Sequence, residues 1–112
     1  MKIAFTSQGI HWDAPMDPRF GRTAFIAMFD EEKNDIQFID NSAQQEEAHG
    51  AGTATAQKLF ELQPDILITG NGPGDKAAIA LQQTQIKIFV HANDMSLREA
   101  YRNYQEGKLT AL

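Results

Sequence analysis

The first half of the chain alternates short apolar runs with polar, turn-rich segments, which predicts strands rather than helices. The apolar runs are Lys2–Ser7, Thr23–Phe29 and Ile36–Ile39. The segment Gln8–Arg22 contains two glycines and two prolines, so it is predicted as an irregular loop. A short polar connection, residues 30–35, joins the second and third runs. We therefore expect the three strands to pair as antiparallel neighbours.

In the second half the apolar positions recur at helical spacing. Helices are predicted over residues 50–62, over Asp75–Thr84, and from Ser96 onwards. Ser96 and Glu99 have the spacing of a capping box at the start of the third helix, and Gly107 is a typical stop signal. Two continuous apolar runs lie between the helices and are typical of buried strands: Asp65–Thr69 and Ile86–Val90.

The predicted order is β-β-β-α-β-α-β-α: an α/β fold with a five-stranded mixed sheet and three helices, in one domain over residues 1–112. Right-handed crossovers would keep the later strands parallel to the third. Four connecting segments then emerge at the same edge of the sheet: Gln8–Arg22, Asn41–Gly50, Gly70–Gly74 and His91–Met95. Open α/β sheets bind their ligands at this carboxyl edge, so we expect a site there.

The amino-acid composition excludes several classes of function. Ten Lys and Arg against fifteen Asp and Glu give a net charge of −5, which argues against a broad nucleic-acid surface. The absence of cysteine excludes disulfides, thiolate metal sites and cysteine nucleophiles. The longest apolar run, Ala24–Phe29, is too short to cross a membrane, and the N-terminal segment does not resemble a signal peptide. The sequence predicts a cytoplasmic protein without nucleic-acid or membrane partners.

Each of the three histidines, His11, His49 and His91, falls on one of the segments expected at the common edge. Two interpretations are open. They are ordinary surface histidines, or they supply imidazole ligands to a metal or metal cluster, since imidazole is the strong nitrogen ligand left without cysteine. Their spacing matches no zinc motif.

Two glycine-rich segments and a pair of arginines are candidates for binding an anion. Gly50 and Gly52 lie where the first helix begins, and a helix N-terminus offers unpaired N–H groups. The loop containing Gly72 links a buried strand to a helix, without the spacing of a nucleotide-binding motif. Arg19 and Arg22 can clamp an anion, or one of them ties the long loop down by pairing with an acidic neighbour such as Asp17.

The sequence contains few candidate catalytic residues. None of the serines lies in a nucleophile elbow, and the first strand carries no acidic residue for two-metal nuclease chemistry. A hydrolase using Glu46 or Glu47 with His49 is the remaining catalytic interpretation. The protein is predicted not to be an enzyme.

Five segments carry a further signal: DPRFGR at 17–22, HGAG at 49–52, TGNGPGDKA at 69–77, IKIF at 86–89 and EGKL at 106–109. In this order they resemble the dinitrogenase iron–molybdenum cofactor biosynthesis family over essentially the whole chain. That family includes NifX- and NafY-like carriers, the C-terminal domain of NifB-like proteins, and small stand-alone members such as the orange proteins.

The resemblance implies a ribonuclease-H-like fold without nuclease activity, and non-catalytic binding or delivery of an anionic metal–sulfur cluster. The cluster would be a molybdenum–iron or molybdenum–copper sulfide, bound non-covalently. His49 is the implied cluster contact, and the arginines of DPRFGR with the amides near three glycines would balance the cluster charge. The implied cofactor-binding residues are Arg19, Arg22, His49, Gly50, Gly52 and Gly72.

The expected partners are the metallocluster and the proteins that donate or accept it. The alternative is a metal-free interaction or regulatory module on the same fold, which would contact its partner through residues 8–22. The third strand is predicted at a sheet edge, where a second copy can pair, so a monomer or a weak homodimer is expected.

Overall fold

The structure is a computed structural model that describes residues 1–44 and 50–112. The elements in chain order are β1 (Lys2–Ser7), β2 (Phe25–Asp30), β3 (Asp35–Asp40), a short 3₁₀ helix (Ser42–Gln44), α1 (Ala51–Leu62), β4 (Ile66–Ile68), α2 (Asp75–Gln82), β5 (Lys87–Val90), α3 (Leu97–Gln105) and β6 (Thr110–Ala111). No helix within these residues is long and apolar enough to cross a membrane.

The strands form one mixed sheet in the order β3-β2-β1-β4-β5-β6. β1, β2 and β3 pair as antiparallel neighbours, while β4 is parallel to β1 and β5 is parallel to β4. The predicted meander, the parallel second half and the edge position of β3 are thereby confirmed. The carboxyl ends of β1, β3, β4 and β5 consequently lie at one edge.

The strand count differs from the prediction. The described residues contain six strands rather than five, because Thr110–Ala111 pairs antiparallel with β5. This strand is only two residues long and both residues are exposed, so it has no hydrophobic pattern that a sequence can reveal. α2 also ends two residues before the predicted Thr84, since Gln83 N and Thr84 N bond back three residues and tighten the turn.

Alternation along β1 explains how the sheet carries a helical layer on each face. Ile3 and Phe5 pack on the side of α3, against Leu97, whereas Ala4 packs on the side of α1 and α2 with Leu59. Because both faces are covered, β4 is apolar and buried throughout, and β1 is buried from Ile3 to Ser7.

The third helix begins as predicted. The Ser96 hydroxyl accepts a hydrogen bond from Glu99 N at 3.1 Å, and Gly107 follows the helix with a φ of 71°. Both predicted boundary signals are confirmed.

A tyrosine on α3 gives the fold a testable pH dependence. The Tyr101 hydroxyl donates to Glu31 Oε2 at 2.5 Å, and partial burial together with this carboxylate raises the pKa of Tyr101 to about 12. The pKa of an unfolded tyrosine is about 10, so this contribution to stability is complete below pH 10 and is lost as the pH rises towards 12. A near-ultraviolet absorbance titration checks this, and Glu31→Gln should lower the pKa of Tyr101. An ordinary pKa for Tyr101 in the wild type would contradict the interpretation.

Candidate functional site

The loop after β1 is fixed across the carboxyl ends of β1 and β4 by backbone hydrogen bonds. Asp17 N donates to Thr6 O at 2.8 Å, and the Thr6 hydroxyl donates to Asp17 O at 2.9 Å. On the β4 side, Asn71 N donates to Pro18 O at 2.8 Å. A Cβ at Gly70 would lie 2.5 Å from Pro18 Cα, so this close approach requires glycine.

The Asp17 side chain is fully buried and closes the following turn of the loop. Its Oδ1 accepts from Arg19 N at 3.0 Å and from Arg19 Nε at 3.1 Å, and its Oδ2 accepts from Arg19 Nη2 at 3.2 Å and from Ala24 N at 3.0 Å. The hydrogen bond to Asp17 raises the pKa of Arg19 above its ordinary value, so the guanidinium stays charged. The interpretation that Asp17 and one arginine tie the loop down is confirmed.

Gly21 brings the same loop against the beginning of α1. A Cβ there would lie 2.6 Å from Gly52 N and 2.8 Å from Gly52 Cα, and the Thr55 hydroxyl donates to Gly21 O at 2.7 Å. The buried Asn41 side chain, at the end of β3, donates to Thr55 Oγ1 and to Thr23 O, both at 3.1 Å. This network fixes the arginine-bearing loop to α1.

Helices α1 and α2 both begin beside the loop after β1, and each has a glycine as its N-cap residue. Gly50 precedes α1 with a φ of 81°, Gly74 precedes α2 with φ −63° and ψ 169°, and neither has a side-chain cap hydrogen bond. The first-turn N–H groups therefore receive no acceptor from the N-cap, unlike those of α3, which Ser96 caps. Uncapped N–H groups and the positive end of the helix dipole together favour an anion.

Glycine at position 74 has no structural cause within the described residues. Its backbone angles suit any residue, and a Cβ there would meet no atom within 4 Å. Asp or Ser, the usual N-cap residues, would therefore fit. Because residue 74 is glycine, no N-cap side chain occupies the first-turn N–H groups of α2.

These features converge on an open cleft of about 470 Å³ at the carboxyl edge of the sheet. Its lining residues come from the loop after β1 and from the starts of both helices: Arg19, Gly21, Arg22, Gly50, Ala51, Gly52 and Gly74. Arg19 and Arg22 are exposed, Asp17 is buried behind Arg19, and Asp75 stands in the first turn of α2. The described lining residues of the cleft thus include two cationic side chains and no acidic one, in a chain whose net charge is −5.

Four of the predicted site residues, Arg19, Arg22, Gly50 and Gly52, line this cleft together. From the loop after β4, the described lining residue is Gly74, whereas the predicted Gly72 lies two residues earlier and is exposed. Gly21 and Gly74 also line the cleft and were not among the predicted site residues. The signal for Gly74 was available, since glycine stands where a capping residue usually precedes a helix.

Of the three predicted histidine ligands, the structure describes two, His11 and His91. His49 lies outside the described residues, as do Glu46 and Glu47 of the hydrolase interpretation. His11 and His91 are exposed on two different loops, and His91 has a φ of 64° while its N–H donates to Gly70 O. Over residues 1–44 and 50–112, no three His, Asp or Glu side chains gather as metal ligands. A metal role for the histidines stays a prediction.

The fold and the cleft define a small α/β protein whose carboxyl edge suits an anionic ligand. The sequence profile described as "Dinitrogenase iron-molybdenum cofactor" matches residues 1–107, and the chain therefore belongs to this family. The resemblance found in the sequence is confirmed. No curated protein sequence matches the chain significantly.

Two solved structures are similar over almost the whole chain. The apo form of the orange protein from Desulfovibrio gigas has a TM-score of 0.92 and 34% sequence identity, covering 99% of this chain and 92% of that one. A NifB-like protein from Thermotoga, assigned to the DUF35 family, has a TM-score of 0.83 and 24% identity, with the same coverage of 99% and 92%. The second similarity shows the fold alone.

Proposed function

We propose that the protein is a non-catalytic carrier of an anionic, molybdenum-containing metal–sulfur cluster, acting in cofactor assembly or delivery in the cytoplasm. The observation that carries this proposal is the convergence of two arginines and two uncapped helix N-termini on one cleft. Family membership and the similarity to the orange protein support it. We assign residues 1–112 to one metallocluster-binding domain with a ribonuclease-H-like arrangement of strands.

The chemistry of the donors suits a cluster held through its sulfide ligands. The chain has no cysteine, and the described lining of the cleft offers amide N–H groups and guanidinium N–H groups, which are not metal ligands. Such donors form charge-assisted hydrogen bonds to the outer atoms of an anion. We therefore propose non-covalent binding of a molybdenum–iron or molybdenum–copper sulfide.

Imidazole would supply direct contact to the metal. His49 immediately precedes Gly50, which lines the cleft, so we propose His49 as the main cluster ligand. His11 and His91 are proposed as further ligands because they follow strands that end at this edge.

The partners proposed are the cluster itself and the proteins that donate or accept it, with a monomer or weak homodimer as the oligomeric state. Metal analysis of protein produced anaerobically in a metal-replete host tests the carrier function. We expect molybdenum and sulfide to co-purify. Protein without metal that still binds a partner through residues 8–22 would favour the metal-free interaction module.

Replacing His49 with alanine is expected to weaken cluster retention while the apo-protein folds as the wild type does. Metal content after desalting and thermal unfolding of the apo-protein measure the two effects. Normal retention by a folded variant would remove His49 from the site.

Replacing Gly74 with aspartate should weaken binding of the cluster about tenfold while leaving the apo-protein as stable as the wild type, or slightly more stable. The carboxylate can cap the first turn of α2, and it would also place a negative charge in the cleft. Titration of the apo-protein with the cluster measures the loss.

Gln82→Glu, which adds the same charge at the other end of α2, is the matched control and should bind as the wild type does. Equal affinities for Gly74→Asp and Gln82→Glu would place the cluster elsewhere.

A further inference from the structure

Behind the cleft lies a carboxylate with no exposed side-chain surface, that of Asp17. We infer that Asp17 is a positioning residue: it fixes the orientation in which Arg19 presents its guanidinium to the bound anion. The inference rests on the proposed function for its ligand, but the geometry behind it belongs to the protein alone.

The hydrogen bonds divide the Arg19 guanidinium into an inner and an outer edge. A guanidinium has five N–H donors. Asp17 accepts from Nε at 3.1 Å and from Nη2 at 3.2 Å, which leaves three N–H groups on the side away from Asp17. The Arg19 side chain is 50% exposed while that of Asp17 is 0% exposed, so the outer edge is the accessible one. Arg19 is thereby oriented before any ligand binds, which lowers the ordering cost of binding.

Asp17 can orient Arg19 because its own position is fixed by the sheet. Its N–H and C=O are both hydrogen-bonded to Thr6 at the end of β1, and the next residue, Pro18, accepts from Asn71 after β4. Its second carboxylate oxygen also accepts from Ala24 N, at the far end of the loop. Hydrogen bonds to the ends of β1 and β4 therefore fix the Asp17 carboxylate, and the carboxylate in turn fixes the Arg19 guanidinium at the cleft.

A positioning role for Asp17 and a purely electrostatic role predict opposite changes in anion affinity for Asp17→Asn. Asp17→Asn removes a negative charge near an anion site, so charge alone would tighten anion binding. If Asp17 positions Arg19, the variant binds more weakly, because the amide has one acceptor oxygen and its NH2 group cannot accept, so it cannot accept from Arg19 Nε, Arg19 Nη2 and Ala24 N together.

The binding test uses tetrathiomolybdate with copper(I) as the probe, under anaerobic conditions. We expect Asp17→Asn to weaken binding roughly fivefold to tenfold, and to have no weakening effect in an Arg19→Gln background. Asp75→Asn is the matched control: it removes an exposed acid in the first turn of α2, beside the cleft, and it should tighten binding. Tighter binding by Asp17→Asn, or equal weakening in both backgrounds, would overturn the inference.

A second readout needs no ligand. In the apo-protein, the NMR resonance of the Arg19 Nε–H group should be distinct and protected from exchange, and it should move to an averaged, rapidly exchanging position in Asp17→Asn. An unchanged resonance would overturn the inference. If the wild type shows the protected resonance yet takes up no probe, the molybdenum–copper form of the proposed function fails while the positioning role stands. Should Asp17→Asn not fold, Asp17→Glu replaces it: this variant keeps the charge but displaces the carboxylate by one methylene. Weaker binding and an averaged Arg19 Nε–H resonance would support the inference, and unchanged binding with an unchanged resonance would overturn it.

Discussion

Gly21→Ala is expected to lower the free energy of unfolding by about 2–3 kcal/mol, the cost of overpacking a site that cannot yield. The added methyl would lie 2.6 Å from Gly52 N, 2.8 Å from Gly52 Cα and 3.0 Å from Ala51 C, all of them backbone atoms. The loop must therefore move away from α1 and lose the hydrogen bond from Thr55 to Gly21 O. Since this loop carries Arg19 and Arg22, cluster binding should fall together with stability.

Gly74→Ala is the matched control for Gly21→Ala. It adds the same methyl group to the same cleft, where no atom lies within 4 Å and the backbone angles are ordinary. Its cost should stay below about 1 kcal/mol, as for other N-cap substitutions. Chemical denaturation of both variants gives the comparison. Equal stabilities would mean that the contact between Gly21 and α1 does not hold the cleft together.

Arg19→Ala is expected to cost about 2 kcal/mol, because it leaves the buried Asp17 carboxylate without its countercharge. Breaking a fully buried ion pair costs about 3–5 kcal/mol. The lower figure applies here because the Arg19 side chain is 50% exposed and water screens the pair. The melting temperature should fall by roughly 10 °C.

The double variant Asp17→Asn with Arg19→Ala separates this cause from a general loss of packing. With no buried charge left, it should recover roughly half of the stability that Arg19→Ala loses, although both substitutions remove hydrogen bonds. A double variant less stable than Arg19→Ala would show that the buried charge is not the cause. Thermal unfolding at neutral pH measures all four members of the cycle.

Most of the fold was predictable because hydrophobic periodicity reports burial directly. The bounds of β1 agree with the prediction, and the order of strands and helices up to α3 follows from short connections and right-handed crossovers. β6 was not predictable, because its two residues are exposed and pair only through their backbones. β2 begins at Phe25 rather than Thr23, because Thr23 is buried in the loop, where its hydroxyl donates to Phe25 O at 2.9 Å.

The candidate site was predictable in place but not in detail. Topology alone brings the loop after β1, the start of α1 and the loop after β4 to one edge, and the structure gathers Arg19, Arg22, Gly50 and Gly52 there. The need for glycine at position 21 depends on the backbone of Gly52, which lies far along the sequence. Long-range contacts of this kind leave no local pattern, and the same holds for the burial of Asp17.

The measurement that tests the central claim most directly is anaerobic loading of the apo-protein with tetrathiomolybdate, with and without copper, followed by desalting, a visible spectrum and metal analysis. We predict that the wild type retains a coloured cluster in stoichiometric amount, and that Gly74→Asp, which closes the α2 N-terminus, retains much less. A wild type that emerges colourless and metal-free would contradict a carrier of a molybdenum–copper sulfide, and a cluster retained equally by both proteins would contradict a site at this cleft.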